Sequence, residues 1–123
     1  MKNNFKIVIS LIFFLLVGCA ADTHVSLSKE MLDNMENLIV VLEGVKDSSS
    51  CQEAIVRIKE INQLGKNIQQ RIDELGEPSE SMLKELEEKY ASRGQKAAEN
   101  LRSVLSGLIE SDFGMDIMKA LNN

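Results

Sequence analysis

Three stretches of this chain repeat apolar residues at spacings that alternate between four and three, and one proline stands among them. The first stripe is Met31, Met35, Leu38, Leu42 and Val45, widened by Leu32 and Ile39. The second is Ala54, Ile58, Ile61, Gly65, Ile68, Ile72 and Leu75. The third is Leu83, Leu86, Tyr90, Ala97, Leu101, Val104, Leu105 and Leu108, interrupted at Arg93-Gly94. That period gathers apolar side chains on one face of a helix, whereas a strand would scatter them over both faces. Punctuation agrees with it. Asp47 to Ser50 breaks the first stripe, and Ser50-Cys51-Gln52-Glu53 reads as a capping box for the second. Gly76 suits a left-handed cap, Pro78 prevents continuation, and Ser79 or Ser81 starts the third helix, which runs to about Ser111. Short connections force neighbouring helices to run antiparallel. The expected fold is therefore all-α: a small antiparallel three-helix bundle with a short C-terminal helix at 115–121. Met118 and Leu121 share one side of that last segment, which is either docked or frayed. The alternative is an extended coiled-coil hairpin that completes its core by dimerising. Folding about Pro78 sets Gly65 opposite Tyr90, so the missing side chain either makes room for the ring or is a tolerated weak point. Pairs at i, i+4 are expected on solvent faces at Glu53–Arg57, Glu80–Lys84 and Glu85–Lys89.

Composition divides at the N-terminus. Residues 1–18 contain twelve apolar side chains, two of the fourteen basic residues and none of the nineteen acidic ones, which leaves the following 105 residues at −7. Three of the four phenylalanines also lie in 1–18, so Tyr90 and Phe113 are the aromatic residues that remain. A basic leader, Met1-Lys2-Asn3-Asn4-Phe5-Lys6, precedes the apolar run 7–17. As a helix that run would be about 16 Å long, roughly half a hydrocarbon core, which suits an export signal rather than a permanent span.

The next residues make the reading more specific. Leu16-Val17-Gly18-Cys19 resembles the lipobox of bacterial lipoproteins. The resemblance implies cleavage before Cys19, a diacylglycerol thioether on that cysteine and, in many bacteria, a further acyl chain such as palmitate on its new amine. It divides the chain into a signal peptide at 1–18, a lipidated tether at 19–27 and a helical domain at 28–123. Ordinary signal cleavage after Ala20 or Ala21 is the alternative, giving a soluble secreted protein. In two-membrane bacteria an aspartate after the lipidated cysteine often marks inner-membrane retention. Ala20 stands there instead, which favours the outer membrane of a bacterial cell envelope.

With lipid on Cys19, Cys51 has no partner within the chain. It is an incidental first-turn cysteine, the site of an intermolecular disulfide that makes a homodimer, or a reactive thiol favoured by a helix N-terminus. The only histidine, His24, falls in the tether, away from Cys51. Neither a di-iron nor a zinc ligand set can be assembled from one histidine and one free cysteine, so no metal or cofactor is expected. The scattered glycines form no phosphate loop, and Asp112-Phe113-Gly114-Met115-Asp116 is too sparse for calcium. Glu85, Glu87 and Glu88 spread over solvated helix faces beside lysines rather than forming an acid–base pair. A charge of −7 without interleaved basic and aromatic residues speaks against nucleic acid, and equally against electrostatic adhesion to anionic lipid. Met31, Met35, Met82, Met115 and Met118 read mainly as core filler, with Met115 and Met118 the exceptions, free to face a partner.

The helical part also resembles a group of small exported bacterial helical proteins without established function. The residues concerned are Leu42-Glu43-Gly44-Val45-Lys46-Asp47, Ala54, Ile58, Leu75-Gly76-Glu77-Pro78-Ser79 and Lys89-Tyr90. They are mostly helix punctuation and core, so the resemblance implies the helical fold and carries over no site. The expected function is that of a non-enzymatic, membrane-tethered lipoprotein presenting a helical interaction module to an envelope partner. The alternative is a self-associating structural spacer.

Overall fold

The structure is a computed structural model and describes residues 21–123. Four helices follow one another: α1 His24–Glu43, α2 Ser48–Leu75, α3 Glu80–Ile109 and α4 Gly114–Leu121. The all-α bundle with a short C-terminal helix is the observed fold. Residues Leu16, Val17, Gly18 and Cys19, with the whole signal segment, lie outside the described residues.

Local hydrogen bonding sets the helix ends, and two of them differ from the sequence expectation. The stretch expected as spacer is helical from His24, because Thr23 and Ser26 form a reciprocal capping box. The Thr23 hydroxyl accepts from the Ser26 amide, and the Ser26 hydroxyl accepts from the Thr23 amide, both at 3.0 Å. Helix α2 likewise starts earlier than Ser50. Asp47 is its cap, accepting from the Ser50 amide at 2.7 Å, while Ser50 Oγ accepts from the Asp47 amide. A carboxylate at this position accepts a charge-assisted bond, stronger than the hydroxyl bond expected of Ser50. The start of α3 is as expected: Ser79 Oγ accepts from the Met82 amide. Gly76 has the positive φ foreseen for it (77°), but its ψ of −170° sends the chain out extended instead of into a left-handed turn.

Helix α1 is the centre of the assembly. It runs antiparallel to α2, with Asn34 beside Ile61 and Asp22 beside Arg71. It runs parallel to α3, with Glu36 beside Arg93 and, further along both helices, Leu42 beside Val104 and Leu108. Helix α4 packs on the same two neighbours, α2 and α3. No Cα of α2 comes within 8 Å of a Cα of α3, nor any of α1 within that distance of α4. The four helices thus occupy the corners of a square, with α1 opposite α4 and α2 opposite α3. This is four-helix-bundle geometry in which the fourth helix is short.

The arrangement corrects the expected contact between Gly65 and Tyr90. Gly65 faces α1, where a Cβ would sit 3.5 Å from Asn34 Nδ2. The Arg93-Gly94 interruption faces α1: a Cβ on Gly94 would lie 3.8 Å from Leu32 Cδ2, and Arg93 pairs with Asp33 and Glu36. The main core occupies the end closed by α4 and draws on all four helices: Leu42, Cys51, Ala54, Ile58, Leu108, Ile117 and Ala120. A core completed within one chain does not match the dimerising-hairpin alternative. Helix α4 is docked, but through Ile117 and Ala120, while Met118 lies at the margin and Met115 is 74% exposed. Gly114 allows the tight entry: a Cβ there would lie 2.5 Å from the Leu108 carbonyl oxygen.

Candidate functional site

Because α4 ends at Leu121, the corner it occupies is filled only part of the way along α2 and α3. Beyond its end a groove opens, with a cavity volume of about 570 Å³. Met31, Met35 and Leu38 of α1, Ile61 of α2 and Leu101 of α3 supply its apolar wall. Leu121 and the two residues after it close the lower end. The volume falls within the range of roughly 300–1,000 Å³ usual for ligand pockets.

The polar groups here come mostly from α2. Asn62 Nδ2 donates to the carbonyl oxygens of Ala120 and Leu121, at 3.1 and 3.4 Å. It thereby satisfies carbonyls that a helix end leaves without partners. Lys66 Nζ donates to the Asn123 carbonyl oxygen at 3.3 Å. Lys66 is the one charged residue lining the groove. On the floor, Asn34 is 93% buried and donates through Nδ2 to the Ile61 carbonyl oxygen at 3.0 Å. Its Oδ1 is buried with no hydrogen-bond partner. A buried acceptor without a partner costs stability, so Asn34 is an unfavourable feature of the fold taken alone.

Two arginines pin α1 between its neighbours. Arg71 of α2 grips Asp22 and Glu30, at 2.5 and 3.0 Å. Arg93 of α3 grips Asp33 and Glu36, at 2.5 and 2.7 Å. The Arg71 hydrogen bond holds the Asp22 carboxyl below its ordinary value, and the Arg93 hydrogen bond does the same for Glu36. Asp33 is lowered by Lys29 first and Arg93 second. These cross-helix pairs were not visible in the sequence, since neither arginine has its partners on its own helix. Among the described residues the i, i+4 ion pair that forms is Lys29–Asp33, and the three pairs expected from spacing do not.

Cys51 lies in the main core, 3% exposed. Burial pushes its thiol pKa up, and the nearby Asp116 carboxylate adds to the shift. Both effects disfavour the thiolate on which nucleophilic and redox chemistry depend. A disulfide between two copies would first require the opening of the α2 N-terminus. His24 is the first residue of α1 rather than part of a spacer. Among the described residues no three His, Cys, Asp or Glu side chains gather as a metal site, and no helix is long and apolar enough to cross a membrane. Of the methionines, Met115 and Met118 are the exposed ones, as expected of the exceptions to core filling, while Met31 and Met35 line the groove. The groove brings together an apolar wall with two methionines, one lysine and an amide oxygen without a partner. No protein-family model matches the chain, and no curated protein or solved structure is detectably similar to it.

Proposed function

We propose that this chain is a bacterial envelope lipoprotein, held by acyl chains on Cys19 and presenting a non-catalytic helical interaction module. The observation that carries the reading is the run Leu16-Val17-Gly18-Cys19 directly after a basic and then apolar leader. Two acyl chains suffice for stable anchoring, each buried methylene contributing about 0.8 kcal/mol. The −7 charge of residues 19–123 opposes adhesion to anionic lipid, so the acyl chains must supply the attachment. The groove beside α4 supports the interaction role, and the buried, raised thiol of Cys51 weighs against a catalytic one. Fractionation of cells tests the anchor: the chain should sediment with membranes, and Cys19→Ser should release it to the aqueous fraction. Retention of Cys19→Ser on membranes would refute the lipid attachment.

The exposed Ile109 and Met115, both at the α3–α4 corner, favour a second reading as a self-associating spacer. Sedimentation of the Cys19→Ser chain as a strict monomer, with and without reductant, would eliminate it.

A further inference from the structure

We propose that the groove is the docking seat for an amphipathic helix of a partner polypeptide, laid end-on to α4 so that it prolongs the fourth corner of the bundle. This deepens the interaction-module reading and rests on it, though not on the lipid anchor. Three observations identify the occupant. The first is continuity. Helix α4 already packs on α2 and α3 in this corner, and the groove begins where its last residues end. From Ile61 to Gln69 the open wall measures about 12 Å along α2, two helical turns. The second is charge. Lys66 is the one charged residue in the lining of a chain rich in acid, so the helix should bring an Asp or Glu to that edge.

The third observation is Asn34, a residue of the groove lining whose Oδ1 is buried without a partner and becomes reachable once the neighbouring side chains shift. A helix backbone has no spare amide at mid-length, so the missing donor must be a side chain such as Ser, Thr, Asn or Gln. The partner is therefore a helix with an apolar stripe, one acid at its edge and one short donor within the stripe. Met31 and Met35 suit it, because unbranched thioether side chains can repack around an incoming surface. An acyl chain would fill the apolar wall but would pair with neither Lys66 nor Asn34, so the helix is the better occupant.

Site-specific photo-crosslinking of the full chain, in the cells that make it, tests the proposal. A p-benzoylphenylalanine at Met35 probes the floor, and one at the exposed rim residue Gln69 repeats the test without disturbing it. Val56, on the exposed outer side of α2, is the control. Met35 and Gln69 should both give a polypeptide adduct, with attachment points three or four residues apart in a segment containing Asp or Glu. Lys66→Glu should lower the adduct yield about tenfold, the scale of one unfavourable charge contact. Lack of any adduct, an adduct to lipid or to a second copy, equal labelling from Val56, or indifference to Lys66→Glu would overturn the docking seat. Adduct formation undiminished by Cys19→Ser would show that the seat stands even if the anchor reading fails.

Discussion

Removing the side chain of Ile117 tests which face of α4 meets the bundle. Ile117 is fully buried and packs with Leu42, Cys51, Ile58 and Leu108. Truncation of a buried isoleucine to alanine costs about 2–5 kcal/mol through lost transfer energy and the remaining cavity. Helix α4 has eight residues and is joined to the fold at one end, so it can relax partly into the space. We expect about 3 kcal/mol for Ile117→Ala, near the middle of that range. With a urea slope of about 1.5 kcal/mol per molar, the midpoint should fall by about 2 M. Met115→Ala, at a 74% exposed position, should change stability by no more than about 0.5 kcal/mol. Urea titration followed by far-ultraviolet circular dichroism, with Cys19→Ser as background, gives both numbers. A midpoint change below about 0.3 M for Ile117→Ala would refute the docking of α4 through this face.

Other parts of the structure make separate claims. Asp22, Asp33 and Glu36 are held below their ordinary values of 3.8, 3.8 and 4.5, so the unfolded chain binds more protons in that range. Their stabilisation is present above those values and is lost as pH falls through the lower folded ones. Arg93→Gln should therefore flatten the decline in Tm between about pH 4.5 and pH 3, and an acid limb parallel to that of the parent would refute the clamp. Cys51 should react with a maleimide only as fast as the fold opens; labelling of native Cys19→Ser protein at the rate of a free thiol would contradict its burial. Asn34→Leu removes an unpaired acceptor but also the Nδ2 hydrogen bond to Ile61, and with these effects opposed stability should change by no more than about 1 kcal/mol. A loss above about 2 kcal/mol on urea titration would show that the amide is a structural requirement rather than a binding group.

The extent to which the sequence revealed this molecule follows from the range of the interactions. Ala54, Ile58 and Ile68 lie on the expected face of α2 and are buried there, because a 3.6-residue period is a local property. Ser79 capped its helix as expected for the same reason. The starts of α1 and α2 were less legible because Ser26 and Ser50 occupy the third helical positions, where the familiar box has Glu or Gln. The corner arrangement was hidden altogether. Pairing adjacent helices set Gly65 against Tyr90, whereas α1 provides the floor between α2 and α3 and Gly65 meets Asn34. Arg71 and Arg93 reach carboxylates more than forty residues away, which no i, i+4 rule can supply. The groove depends on the length of α4 relative to its neighbours. Its methionines therefore looked like ordinary core in the stripe of α1.

The intact mass of the mature protein tests the central claim most directly. The lipoprotein account predicts a chain beginning at Cys19, heavier than its polypeptide by a diacylglycerol group and, in many bacteria, a third acyl chain. A mature mass equal to an unmodified polypeptide, whether starting at Cys19 or after Ala20 or Ala21, would contradict it.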